Sequence, residues 1–305
     1  MSEVLLKTTG LTKQYGKQKA VDQIDMKIRK GAIYGFIGRN GAGKTTFLKM
    51  ISGLSSPTNG EIEMFGYTGK DLKQIRSRIG CLIEAPGLYG NMSAYDNLKI
   101  KCSLFGIKKE GYLEEILKTV GLEKVGKKKT KHFSLGMKQR LGIGLALVGN
   151  PELLVLDEPI NGLDPQGIVE IRDTILRLQE EWNMTILISS HILEELSKIA
   201  TDYGIIHNGS LLQELTREEL MQRCSERMEI ILDQPERAVP ILDSMGFHNY
   251  QITDKEHICI FERLGDSAKV NTALVKAEIP VREIFVTNEE LESYFLNLTG
   301  GANHA

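Results

Sequence analysis

No apolar run in this sequence approaches the roughly 18 residues that a membrane-spanning helix requires. The longest, Leu141 to Gly149, is interrupted by glycines. The N-terminus, Met1-Ser2-Glu3, lacks the basic region and apolar stretch of a secretory signal, so none is expected. Cysteine is scarce. Cys81, Cys102, Cys224 and Cys259 are scattered, without the paired spacing of a zinc or redox motif, and read as reduced thiols of a cytosolic protein. An excess of either charge is also missing: 38 Lys and Arg face 40 Asp and Glu, a formal net charge of −2. That balance gives no electrostatic case for nucleic acid as a main partner. Neither an internal repeat nor a low-complexity segment is present. What remains is an ordinary globular composition in 305 residues, long enough for two domains with a substantial core.

The most informative stretch present is Gly38-Arg39-Asn40-Gly41-Ala42-Gly43-Lys44-Thr45-Thr46. It follows the apolar run Ile33 to Ile37 and opens a predicted helix from Thr45 to Ser52, the strand, loop and helix context of a P-loop. Glycines let the backbone wrap a phosphate chain and present N–H groups at a helix N-terminus, where the macrodipole is positive. Lys44 would reach the β- and γ-phosphates as a point charge, and the Thr45 hydroxyl would ligate Mg²⁺.

Upstream, residues 4–8 and 21–28 alternate apolar and polar as half-buried strands do. Between them lies Leu11 to Gly16. Its Tyr15 could stack on an adenine ring, although standing alone it reads better as a Tyr packing on a loop. Downstream, a strand is expected near Gly60 to Gly66, a short polar helix near Asp71 to Arg76, and a buried strand from Ile79 ending in Glu84. Ser93 is predicted to cap a helix through Phe105; Lys109 to Val120 forms another and Ser134 begins a third. The basic stretch Lys127 to Lys131 reads as a solvated loop, or as a contact for lipid head groups or a partner.

The apolar strand Leu153 to Leu156 ends in two acids. Asp157 at the carboxyl edge suits holding Mg²⁺ through water, and Glu158 suits orienting and deprotonating an attacking water. A helix over Pro165 to Trp182 follows, then a strand from Thr185 to Ser189, with Ser190 as the expected cap of a helix from Ile192 to Ala200. His191, at a strand's carboxyl end, falls on the ligand edge of an open α/β sheet, although a His there is also ordinary as a surface residue. Strands at Tyr203–His207 and Ser210–Glu214 close the first domain. The tail reads as strand 228–232, helix 236–245, strands 249–253 and 257–262, helix 266–277, strand 281–286 and helix 288–298. That βαββαβ order fits a ferredoxin-like unit, and it contains no chemical motif.

In their order, these motifs resemble the nucleotide-binding subunit of an ATP-binding-cassette (ABC) transporter over about residues 3–215. Tyr15 matches the adenine-stacking aromatic, Gly38 to Thr46 the Walker A loop, and Leu153 to Glu158 Walker B with its catalytic glutamate. Asn161-Gly162-Leu163-Asp164 matches the D-loop and His191 the switch histidine. Phe133-Ser134-Leu135-Gly136-Met137-Lys138-Gln139-Arg140 resembles the family signature, with Leu135 and Met137 replacing a glycine and a glutamine. Where the family usually carries a glutamine that touches Mg²⁺ and water, this sequence has Glu84, which adds charge and cannot donate as an amide does. Glu84, the signature variant and the C-terminal extension together resemble the bacitracin-export and lantibiotic-immunity group.

The resemblance implies an α/β fold: a P-loop NTPase cassette with a RecA-like core, N-terminal antiparallel strands and a helical subdomain at about 90–148. The cassette would span 1–215, and a small α+β domain, ferredoxin-like in pattern, 216–305. It implies ATP and Mg²⁺ as ligands, with Tyr15 and Gly38, Arg39, Asn40, Gly41, Ala42, Gly43, Lys44, Thr45 and Thr46 on the nucleotide. Ser134, Gly136 and Asp164 would complete the site from a second cassette in a head-to-tail dimer. Thr45, Asp157 and Glu84 would stand at the metal; Glu158, His191 and Glu84 would be catalytic. The implied setting is the inner face of a cell membrane, bound to transmembrane permease subunits and exporting a peptide antibiotic. Two rivals are a soluble cassette ATPase acting on ribosomes or DNA, and a regulatory module that senses ATP. The first usually carries two cassettes or a long coiled coil, and this chain has one Walker A loop and no heptad run.

Overall fold

The computed structural model describes residues 3–287 and 291–299. Two compact units divide the chain, Met1–Arg217 and Glu218–Ala305. The first begins with β1 (Val4–Tyr15) and β2 (Gln18–Arg29), a long antiparallel hairpin. Leu11 to Tyr15, which lies between the two alternating stretches of sequence, is therefore strand as well. Its alternation is masked by bulges around Gly10 and Leu11, and the true turn is only Gly16-Lys17. Tyr15 ends β1 at this tip and is 54% exposed.

Next come β3 (Ile33–Ile37), α1 (Lys44–Ile51), β4 (Asn59–Met64) and β5 (Tyr67–Thr68). The expected polar helix near 71–76 is instead two 3₁₀ turns, Gly69–Lys73 and Arg76–Arg78. They have no buried residues to hold a longer helix against the core. β6 (Ile79–Leu82) leads to α2 (Ala94–Leu104), α3 (Tyr112–Thr119) and α4 (Leu135–Leu147). Ser93 caps α2 in a reciprocal box with Asp96, and Ser134 caps α4 by accepting from the Met137 N–H at 3.2 Å. Lys127 to Lys131, apart from the buried Thr130, is exposed.

The unit continues through β7 (Leu153–Asp157), α5 (Pro165–Trp182), β8 (Thr185–Ser190), α6 (Leu193–Ser197), β9 (Asp202–His207) and β10 (Ser210–Thr216). Ser190 is not a helix cap. It remains in the β8 ladder opposite Ile37, and its hydroxyl accepts from the Ile192 N–H in a local turn. Helix α6, shorter than expected, starts after Ile192 without a side-chain cap.

The central sheet runs β10-β9-β3-β8-β7-β6, parallel except for β10; a second sheet runs β2-β1-β4-β5. All residues of β3, β7 and β8 are buried, as parallel strands covered on both faces must be. Four chain segments consequently leave the sheet along one carboxyl edge: Gly38 after β3, His191 after β8, Glu158 after β7 and Glu84 beyond β6. Cys81, Cys102 and Cys259 carry thiols that burial pushes up, and all four cysteines are free.

In the second unit, α7 (Arg217–Arg223), which begins at the boundary, is followed by β11 (Arg227–Leu232), α8 (Val239–Ser244), β12 (Tyr250–Ile252), β13 (His257–Ile260), α9 (Ser267–Lys276), β14 (Val281–Thr287) and α10 (Leu291–Leu298). Residues 288–290 of the expected last helix lie outside the described residues. The sheet order β12-β13-β11-β14, antiparallel throughout, is the ferredoxin-like arrangement. Its core gathers Met228, Ile230, Ile258, Ile260, Phe247 and Leu274.

Candidate active site

The loop after β3 is held in shape from outside itself. Gly43 has φ +106°, and a Cβ there would lie 2.3 Å from the Ala20 carbonyl oxygen of β2. The Gly209 N–H donates to the Ala42 carbonyl at 2.9 Å, while the Asp22 N–H donates to Gly209. A cleft of about 480 Å³ opens over the loop. Asn40, Gly41 and Gly43 to Thr46 form its floor, Glu158 one wall, and Gln18 to Ala20 with Asn208 and Gly209 the rim.

Lys44 is 5% exposed; its ammonium donates to the Gly38 carbonyl at 2.6 Å and the Arg39 carbonyl at 3.3 Å. The same nitrogen stands 3.0 Å from Glu158 Oε1, an ion pair outside hydrogen-bond alignment. On the other carboxylate oxygen, His191 Nδ1 lies 2.8 Å from Glu158 Oε2. An ionised carboxylate only accepts, so Nδ1 carries the proton. Glu158 itself sits at φ +48°, a costly conformation for a residue with a Cβ. Its N–H is anchored by Ser189 Oγ at 3.0 Å.

Asp157 is buried, with both oxygens engaged: the Thr45 hydroxyl donates to Oδ2 at 2.8 Å and the Ser189 hydroxyl to Oδ1 at 2.6 Å. A hydroxyl and a carboxylate side by side at the mouth of a phosphate loop are the hard oxygen donors that Mg²⁺ takes, together with phosphates and water. Among the described residues no cluster of three or more His, Cys, Asp or Glu gathers as an all-protein metal cage.

Glu84 is not brought to Thr45 and Asp157 by any hydrogen bond. It lies two residues beyond β6 at φ +62°, 65% exposed at its side chain, and pairs with Lys49 Nζ at 2.6 Å. Ser134, Gly136 and Asp164 do not line the cleft. They form a separate group: Asp164 caps α5 through the Gly167 N–H, and a Cβ on Gly136 would meet Gly167 and Leu163 at ordinary contact distance. Two participants escape sequence reading. Ser189 and Lys49 belong to no motif, and only the register of β7 on β8 and the approach of α1 to the end of β6 give them partners.

The family profile described as "ABC transporter" matches residues 21–161. The bacitracin transport ATP-binding protein BcrA of Bacillus licheniformis is 46% identical over 299 residues, covering 97% of this chain and 98% of that protein. The chain belongs to the ABC transporter family. The cassette is also 46% identical, over 212 residues, to the lantibiotic transport ATP-binding protein SrtF of Streptococcus pyogenes, across 69% of this chain and 90% of that one. Among solved structures, a nucleotide-free ATP-binding cassette from an ABC transporter superposes with TM-score 0.64 at 26% identity, covering 72% of this chain and 94% of its own. The ADP conformation of another such cassette superposes with TM-score 0.65, also at 26% identity, covering 73% and 95%. Like these relatives, the cassette is an ATPase.

Proposed function

We propose that this cassette powers the export of a membrane-active peptide antibiotic of the bacitracin or lantibiotic kind, from the inner face of a cell membrane. The observation that supports its hydrolytic role is the line Lys44–Glu158–His191 beside the Thr45–Asp157 contact. The loop N–H groups and Lys44 bind the β- and γ-phosphates, and Tyr15 stacks on the adenine. Thr45 and Asp157 would hold Mg²⁺, which when bound supplies charge neutralisation on the phosphates. Glu158 accepts the proton of the attacking water, and His191 fixes which way that carboxylate points. Ser189 holds Glu158 at its backbone, so the base is set before substrate arrives.

In this reading the second half of the site comes from another cassette, packed head to tail. Ser134 and Gly136 at the start of α4, with Asp164 beside them, would present helix N–H groups to the γ-phosphate of the opposite nucleotide. No helix among the described residues is long and apolar enough to cross a membrane. Separate permease subunits supply the spans, and the segment from Glu84 to Tyr89 passes motion to them.

The test is steady-state ATPase activity of Glu158→Gln. Turnover should fall about 100-fold or more, while ATP binding persists and ATP now traps a stable dimer. Retained turnover would remove Glu158 as base. In the wild-type transporter reconstituted with its permease, bacitracin or a lantibiotic should raise turnover; indifference to both would remove the peptide assignment.

A further inference from the structure

Lys49 has no part in the mechanism above, yet its position relates it to the site. It lies on α1 one helical turn beyond Thr45, so the two residues share a face. Its Nζ stands 2.6 Å from Glu84 Oε1. Both ends of the pair reach solvent, the Lys49 side chain 35% and the Glu84 side chain 65% exposed, so the ammonium is open to the same side as the carboxylate it meets. Where a glutamine offers one acceptor and one donor without charge, Glu84 offers acceptors alone and a full negative charge. That charge lies two residues beyond β6, which pairs with the β7 strand that leads to Asp157 and Glu158, and a triphosphate bound at this edge would itself be anionic.

We propose that Lys49 is a positioning residue for hydrolysis: it neutralises Glu84 and supplies the N–H donor that a carboxylate lacks, so that the pair acts together as a glutamine amide acts alone. The proposal rests on the reading of this cassette as an ATPase with Glu84 at the nucleotide. It makes Lys49 necessary only because residue 84 is a glutamate. A merely structural lysine would be needed whatever stands at 84.

The experiment is a double-mutant cycle on the full-length protein, read as kcat and KM for MgATP. Lys49→Met should lower kcat about tenfold, with KM moved less than about twofold. Lys49→Arg, which keeps the charge and the donors, should retain at least about half of the wild-type kcat. Lys49→Met combined with Glu84→Gln should return to within about twofold of Glu84→Gln alone. An unchanged kcat in Lys49→Met overturns the proposal. So does a double variant as slow as Lys49→Met, since that marks lost packing rather than an uncompensated carboxylate. Failure of the ATPase reading itself would look different: the wild-type protein would show no turnover to perturb.

Discussion

Gly43 shows how little freedom a single position of the phosphate loop has. Its φ of +106° is strained for any side chain, and a Cβ would press into the Ala20 carbonyl at 2.3 Å, a backbone atom that cannot rotate away. Gly43→Ala should therefore cost about 2–4 kcal/mol in thermal or denaturant unfolding, with ATP binding lost as well because the loop must shift to accept the methyl. A melting temperature equal to wild type would contradict this. Residues like Gly43, Lys44 and Thr45 are legible in sequence because they are contiguous and their chemistry is local. Ser189 is not legible in that way. It gains its role from Asp157 and Glu158, 32 and 31 positions away, once β7 and β8 lie side by side. Lys49 and Glu84 meet across 35 positions, because α1 approaches the end of β6. A glutamate in place of a glutamine can be seen in the sequence, but its cation cannot.

Among elements, β10 carries a carboxylate that links the two sheets of the first unit. Glu214 Oε1 accepts from the Tyr34 hydroxyl of β3 at 2.7 Å and from the Lys27 N–H of β2 at 3.3 Å. Burial raises the Glu214 pKa, against the opposing effect of those two bonds. A carboxyl raised on folding binds more protons in the native than in the unfolded state. Its stabilisation is then present in full below the unfolded value, about 4.3, and is lost as pH rises through the folded value. Glu214→Gln keeps the accepting oxygen and does not titrate. The melting temperature of the variant minus that of wild type should be smallest near pH 4 and should widen toward neutral pH; a difference independent of pH would refute the assignment. Strands of even alternation are legible in the sequence, and so are the Ser93 and Ser134 caps. The hairpin of β1 and β2 extends beyond the stretches of regular alternation because its bulges break the two-residue period.

For the molecule as a whole, each unit has its own core, and each can be perturbed by itself. Phe247 is fully buried among Met228, Ile258 and Leu274 in the second unit. Phe247→Ala should destabilise that unit by about 3–5 kcal/mol, so limited proteolysis should clip the region beyond residue 217 first and leave a resistant P-loop fragment. Simultaneous digestion of both units would argue against separate cores. The ferredoxin-like order of the second unit follows from a regular βαββαβ pattern. The order of the large sheet does not follow from the sequence in this way. β3, early in the chain, sits between β8 and β9, and only that insertion brings the loop, Ser190 and His191 to one edge. Topology of this kind is set by which buried faces fit, which no single stretch encodes.

The course of α5 also decides what the protein's own light emission can report. The helix starts at the carboxyl edge, beside Gly162 to Asp164, and runs back to Asn183, whose side chain meets Gly31 just ahead of β3. It ends on Trp182, the single tryptophan of the sequence. That indole is separated from the phosphate loop by the length of β3, roughly 17 Å for five strand residues. Intrinsic fluorescence will therefore follow the melting of the first unit while remaining silent to nucleotide. An indole placed at the exposed hairpin tip, as in Tyr15→Trp, would make the same emission an optical readout of adenine stacking.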